Sequence, residues 1–176
     1  MTRLILTLII LVLSLNFSKA QRHKLWLDLS GGPTFTDQSL TIFAPGMAVT
    51  MLTNSGLPLR VKGSYHVTPA ILSDASWSVD VGFMTGGIRQ EGKRTMEAYV
   101  GLGYITGLRT GEYYPGWGWI PLGHYEMVPF RTVGVPVEVR AQWRVLGVGF
   151  DANINEEMPY FGIKYFVRIG LVKFSP

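Results

Sequence analysis

The chain has 176 residues, 21 glycines, 12% aromatic residues, no cysteine and a formal charge of +4. Disulfides and Cys-based zinc sites are therefore excluded, and with no run of Lys or Arg the positive charge makes no case for nucleic acid. No stretch keeps a helical period, so the sequence predicts an all-β fold.

The opening segment sets the expected compartment. Arg3 precedes an apolar run over 4–13, and Ser18, Lys19 and Ala20 follow in small-x-small order. This pattern predicts a cleaved signal peptide over 1–20 and a single mature domain over 21–176. The apolar run is well short of the ~20 residues a spanning helix needs. No Cys follows it, which argues against a lipidated lipoprotein. Arg3 and Lys19 belong to this segment, and the remaining charges nearly balance.

Eight strands are predicted after it, because successive side chains of a strand alternate between two faces. The first, over 24–32, sets Leu25, Leu27 and Leu29 against Trp26, Asp28 and Ser30. The second, over 46–53, is the weakest, since Met47, Val49 and Met51 oppose the almost equally apolar Ala48, Thr50 and Leu52. The third, over 57–67, alternates Leu59, Val61, Tyr65 and Val67 with Arg60, Lys62, Ser64 and His66. The fourth spans 77–88, with Trp77, Val79, Val81 and Phe83 on one face and Ser78, Asp80 and Gly82 on the other. The fifth, over 95–108, opposes Ala98, Val100, Leu102 and Tyr104 to Glu97, Tyr99, Gly101 and Gly103.

The sixth, over 132–143, sets four valines against Gly134, Pro136, Glu138, Arg140 and Gln142. Pro136 there argues for a strand end, a bulge or an edge. The seventh, over 145–153, opposes Leu146, Val148, Phe150 and Ala152 to Gly147, Gly149, Asp151 and Asn153. The eighth, over 160–174, has Phe161, Ile163, Tyr165, Val167, Ile169 and Leu171 on one face and Lys164, Phe166, Arg168 and Gly170 on the other.

Links after the second, fourth and sixth strands are short, at 54–56, at 89–94 and around Arg144. Those after the first, third and fifth are longer, at 33–45, 66–76 and 109–131, while the link at 154–159 is short. Short turns alternating with longer loops suit a closed, antiparallel, up-and-down transmembrane β-barrel with periplasmic termini. The polar faces then need a place. Asp28, Asp80, Glu97 and Glu138 share them with Arg60, Lys62, Arg140, Lys164 and Arg168. A charge facing lipid near the midplane costs about 2–4 kcal/mol, so these residues are expected in the lumen. An eight-stranded interior is just wide enough for side chains to fill, which predicts an ion-pair plug in place of a channel. Tyr65, Trp77, Tyr104, Trp143 and Tyr165 lie near strand ends and are expected in interfacial girdles.

The run Gly134, Val135, Pro136, Val137, Glu138 and Val139, the stretch 143–150, the triplet Asn153, Ile154 and Asn155, and the closing strand over 162–173 resemble small outer-membrane β-barrels of the eight-stranded OmpA/OmpX-like type, among them uncharacterised barrels from Bacteroidota. The resemblance implies residence in the outer membrane, contact with its lipid, and insertion by the outer-membrane assembly machinery. Such barrels commonly end on an aromatic residue. Here Phe174 is followed by Ser175 and Pro176.

Other readings of the same pattern exist. A soluble periplasmic lipocalin-like barrel binding a small apolar ligand would reverse the faces. A narrow, porin-like pore would leave the lumen open. A lipid A-modifying enzyme would use Ser64 and His66 with Glu97 or Asp80. The three histidines are dispersed, and no metal or cofactor motif is present. The favoured expectation is a barrel without catalysis or cofactor, structural or acting through its loops. Tyr113, Tyr114, Trp117, Trp119 and Tyr125 in the 109–131 segment form the candidate external binding loop for an extracellular partner. The same segment also reads as an extension of the two strands beside it, and its aromatics as a cap over the barrel mouth or an interfacial belt.

Overall fold

Period-two alternation becomes a closed wall. The computed structural model describes residues 24–36, 40–41, 43–53, 55–67, 76–114 and 124–170. The expected signal peptide, the end of the eighth strand with Phe174, and Trp117 and Trp119 lie outside the described residues. Within them are ten strands: β1 (Lys24–Gly31), β2 (Thr34–Thr36), β3 (Leu40–Thr41), β4 (Gly46–Leu52), β5 (Pro58–Val67), β6 (Trp77–Glu91), β7 (Arg94–Tyr114), β8 (His124–Trp143), β9 (Leu146–Ile154) and β10 (Tyr160–Gly170). Neighbours pair antiparallel in the order β1, β4, β5, β6, β7, β8, β9, β10, and β1 pairs again with β10 to close the barrel.

β2 and β3 correct the expectation of a loop over 33–45. β1 and β2 both pair with β10, so they are one wall strand interrupted at Gly32 and Pro33. Pro33 has no N–H to give the ladder. The carbonyls there are still used, Gly32 accepting from Ala44 N at 2.8 Å and Pro33 from Ile163 N at 3.1 Å. β3 pairs β2 above β4, so the wall remains eight strands round.

The two faces are inverted relative to a soluble barrel. Leu102, Val133 and Tyr165 point outwards and are 64–68% exposed, and Val79, Val137 and Ile169 share that outward phase. The five aromatics expected in girdles are exposed as well. Asp28, Arg60, Lys62, Asp80 and Glu97 point inwards and are buried. An apolar outer wall around a charged interior suits lipid and contradicts the lipocalin-like alternative. The three short turns each contain a left-handed residue: Gly56 (φ 83°), Gly92 (φ 60°) and Arg144 (φ 57°).

β7 and β8 are far longer than the roughly 9–11 residues a strand needs to cross a bilayer. Leu108 faces Trp77, where β6 begins, and Val135 faces Ile154, where β9 ends. Beyond those points the two strands continue as a two-stranded ribbon through Tyr114 and His124. Much of the expected 109–131 loop is therefore strand. A bulge between Thr110 and Tyr113 shifts its register by one residue. Pro136 also departs from expectation, because β8 runs straight through it. The β7–β8 ladder skips from Val100–Val137 to Gly103–Gly134 without a register change, while Pro136 still faces Asn153 on β9.

Candidate functional site

The lumen is built by strand register. Asp28 on β1 lies opposite Arg168 on β10, Glu97 on β7 opposite Arg140 on β8, and Glu138 opposite both Tyr99 and Asp151. Inward positions on adjacent strands thus bring charged groups to common levels, and two clusters result.

The first cluster centres on Asp28. Its carboxylate accepts from Arg60 Nη1 at 2.7 Å, Arg140 Nη1 at 2.6 Å and Arg168 Nε at 2.8 Å. Arg168 also grips Glu97 with two parallel bonds of 2.6 and 2.8 Å, the fork geometry that makes Arg–carboxylate pairs strong. Tyr99 donates to Glu97 at 3.2 Å. The guanidinium planes lie over rings, Arg140 at 3.5 Å from Phe166 and Arg168 at 4.6 Å from Trp26. Gly147 makes this possible, since a Cβ there would stand 2.1 Å from the Phe166 ring.

The second cluster centres on Lys62. Its ammonium lies 2.5 Å from Asp151, 3.5 Å from Asp80 and 3.7 Å from Glu138. Tyr160 donates to Asp80, and Asn153 Nδ2 donates to the other Asp80 oxygen at 3.4 Å. Glu138 joins the clusters, because its other oxygen is 2.8 Å from Arg60 Nε. Lys164 stands apart, donating to the Ala44 carbonyl at 2.8 Å.

Among the described residues the interior buries five cations, Arg60, Lys62, Arg140, Lys164 and Arg168, and five carboxylates, Asp28, Asp80, Glu97, Glu138 and Asp151. The formal charges cancel, which is how ten charged groups survive outside water. The cavity left between Arg60, Lys62, Glu138, Arg140, Asp151 and Lys164 is about 20 Å³, room for about one water molecule. Above it Ile105, Phe130, Met158 and Tyr160 form an apolar cluster under the mouth. Met158 belongs to the 155–159 link, which Asn155 folds by accepting from Glu157 N and Met158 N at 3.1 and 2.7 Å.

Ser64 and His66 do meet, with Oγ 3.1 Å from Nε2. His66 Nδ1 has no hydrogen-bond partner among the described residues. Asp80 is held by Tyr160 and Asn153, and Glu97 by Arg168 and Tyr99, so neither carboxylate completes a relay.

The ribbon has a different chemistry. Tyr113 and Tyr125 face each other at a ring separation of 5.0 Å and are 53% and 40% exposed, with Tyr114 beside them at 45%. Six residues of β7, 109–114, extend past the start of β6, about 20 Å at ~3.4 Å per residue. Arg109 braces its base, 2.9 Å from Glu157 Oε2 across the mouth.

No family model matches the chain, and no curated protein matches its sequence. Solved structures do match its fold. Neisserial surface protein A aligns with a TM-score of 0.58 at 11% identity, covering 85% of this chain and 97% of that one. The attachment invasion locus protein Ail of Yersinia pestis aligns with a TM-score of 0.46 at 8% identity, over 84% and 97% of the two chains. A second Ail structure, in complex with the heparin analogue sucrose octasulfate, gives 0.45 at 5%. The fold is that of a small eight-stranded outer-membrane barrel.

In this barrel all nine charged residues expected in the lumen face inwards, and eight of them meet an opposite charge within 4 Å. Lys164 is the ninth. Sequence reasoning missed Asp151, although it shares the inward face with Gly149 and Asn153. Charge balance was the available signal, since the nine expected residues hold five cations and four carboxylates. Tyr99 was read on the polar face beside Glu97, but the hydroxyl bonds of Tyr99 to Glu97 and of Tyr160 to Asp80 were missed, because alternation does not say which carboxylate a tyrosine reaches. Of the aromatics expected in the external loop, Tyr113, Tyr114 and Tyr125 lie on the ribbon.

Proposed function

We propose that the protein resides in the outer membrane after removal of its signal peptide, inserted there by the assembly machinery, and acts without catalysis through its β7–β8 ribbon. The observation that carries this reading is the contrast between a lumen packed with charges that balance, eight of the nine expected ones paired, and a ribbon whose tyrosines project beyond the wall. A filled lumen leaves no path for solute and no room for a substrate. The outward Val, Leu, Ile and Phe side chains suit a lipid-facing surface, and the short turns at one end support termini on the periplasmic side. Rigid scaffolds carry recognition on what projects from them, so the extracellular partner is assigned to the ribbon.

Cell fractionation with carbonate washing tests residence, and a pull-down comparing the full chain with a chain lacking residues 113–125 tests the ribbon. The expected result is a membrane-retained, heat-modifiable barrel in both, with partner recovery lost on deletion. Recovery in the soluble periplasmic fraction, or equal partner recovery by the deleted chain, would overturn the reading.

A further inference from the structure

The end of the barrel opposite the ribbon is cationic. Arg89, Lys93, Arg94 and Arg144 are exposed there, with Glu91 the acidic residue among them. Arg89 pairs with Glu91 at 2.6 Å, while Arg94 and Arg144 have no carboxylate within 4 Å among the described residues. The Arg144 N–H donates to the Lys93 carbonyl at 3.1 Å, which docks the β8–β9 turn against the β6–β7 turn. A cleft of about 770 Å³ opens at this rim, with Arg89, Arg94 and Arg144 along it. Its floor includes the exposed Met96, Trp143, Leu146 and Val148, which continue into the outer wall.

Arg144 is also an unusual choice of residue. The two sister turns place glycine in the left-handed region, at Gly56 and Gly92, whereas this one places Arg144 there with φ 57°. That conformation disfavours an L side chain, so glycine would suit the backbone better. Arginine supplies a cation instead, its guanidinium 5.9 Å from the Trp143 ring at the edge of the apolar floor.

We propose that this cleft binds the phosphate of an anionic glycerophospholipid in the leaflet nearest the turns, with an acyl chain laid over Met96, Trp143 and Leu146. The cations match the headgroup, and the continuity of the floor with the lipid-facing wall selects a lipid over free phosphate. The inference rests on the membrane residence proposed above.

The test uses the full mature chain purified in detergent and titrated with phosphatidylglycerol or phosphatidylcholine under native mass spectrometry. Phosphatidylglycerol is expected to bind more tightly. Arg144→Gly, which suits the turn and keeps the fold, should weaken it about fivefold, and Arg94→Gln with Arg144→Gly roughly 30-fold. Arg131→Gln, at the ribbon end, should leave it unchanged. Equal binding of the two lipids, undiminished binding by the double variant, or displacement by millimolar inorganic phosphate would overturn the proposal. Orientation is read separately by Ser55→Cys at the same end, since the chain has no native cysteine. Labelling of that thiol on intact cells would refute the periplasmic placement of the turns and leave the lipid-binding result standing.

Discussion

The waist of the barrel and the β7–β8 ribbon are made from the same two strands, yet they face opposite demands. In the waist, β7 and β8 have neighbours on both sides, and their inward side chains, Glu97, Glu138 and Arg140, meet partners drawn from several other strands. In the ribbon each strand has only the other for a neighbour, and the Tyr113 and Tyr125 rings meet at a tilt while staying exposed. The waist turns its charges inward onto one another. The ribbon buries little and keeps its aromatics in reach of something else. Charge pairing and exposed aromatic surface are thus separated along the length of one hairpin.

The sharpest way to break this contrast is to unbalance the waist. Asp28→Ala leaves Arg60, Arg140 and Arg168 around an empty position, which should cost about 3–5 kcal/mol. The expected outcome is a large drop in the urea midpoint of the heat-modifiable gel band. Next comes the outer wall. Val100 points outwards and is 51% exposed, so in a bilayer Val100→Arg should cost about 2–4 kcal/mol near the midplane and lower the carbonate-resistant fraction.

A smaller effect is expected at Gly147, where a methyl group would press on the Phe166 ring that Arg140 covers. Gly147→Ala should cost about 1–3 kcal/mol by overpacking, again read as the urea midpoint. The smallest belongs to the ribbon. Tyr113→Ala should change barrel stability by no more than about 0.5 kcal/mol while reducing recovery of an extracellular partner. A large midpoint shift from Tyr113→Ala would mean that the ribbon is part of the fold's core and would erase the distinction.

Much of this was legible in the sequence because a period of two assigns faces without any knowledge of partners. Alternation with Val61 and Leu59 put Lys62 and Arg60 on one face, and the cost of a charge in lipid put that face inside. What alternation cannot supply is register, and register decides which charges meet. Asp28 serving three arginines from β5, β8 and β10 depends on five pairings invisible along the chain. The short β2 and β3 were hidden because Gly32, Pro33 and Pro45 punctuate the segment like a loop, although the neighbouring β10 still finds hydrogen bonds there. The ribbon was half legible: the segment read both as a loop and as an extension of the two strands beside it, and pairing through Tyr114 and His124 decides for the extension.

The central claim is that the barrel is a closed, charge-filled scaffold, and a planar bilayer recording of the purified protein tests it most directly. The expected result is a baseline without discrete conductance steps, because the residual cavity of about 20 Å³ is too small to pass a hydrated ion. Stable unitary currents that change when Arg60, Glu138 or Arg168 is neutralised would contradict the account and make the lumen a pore.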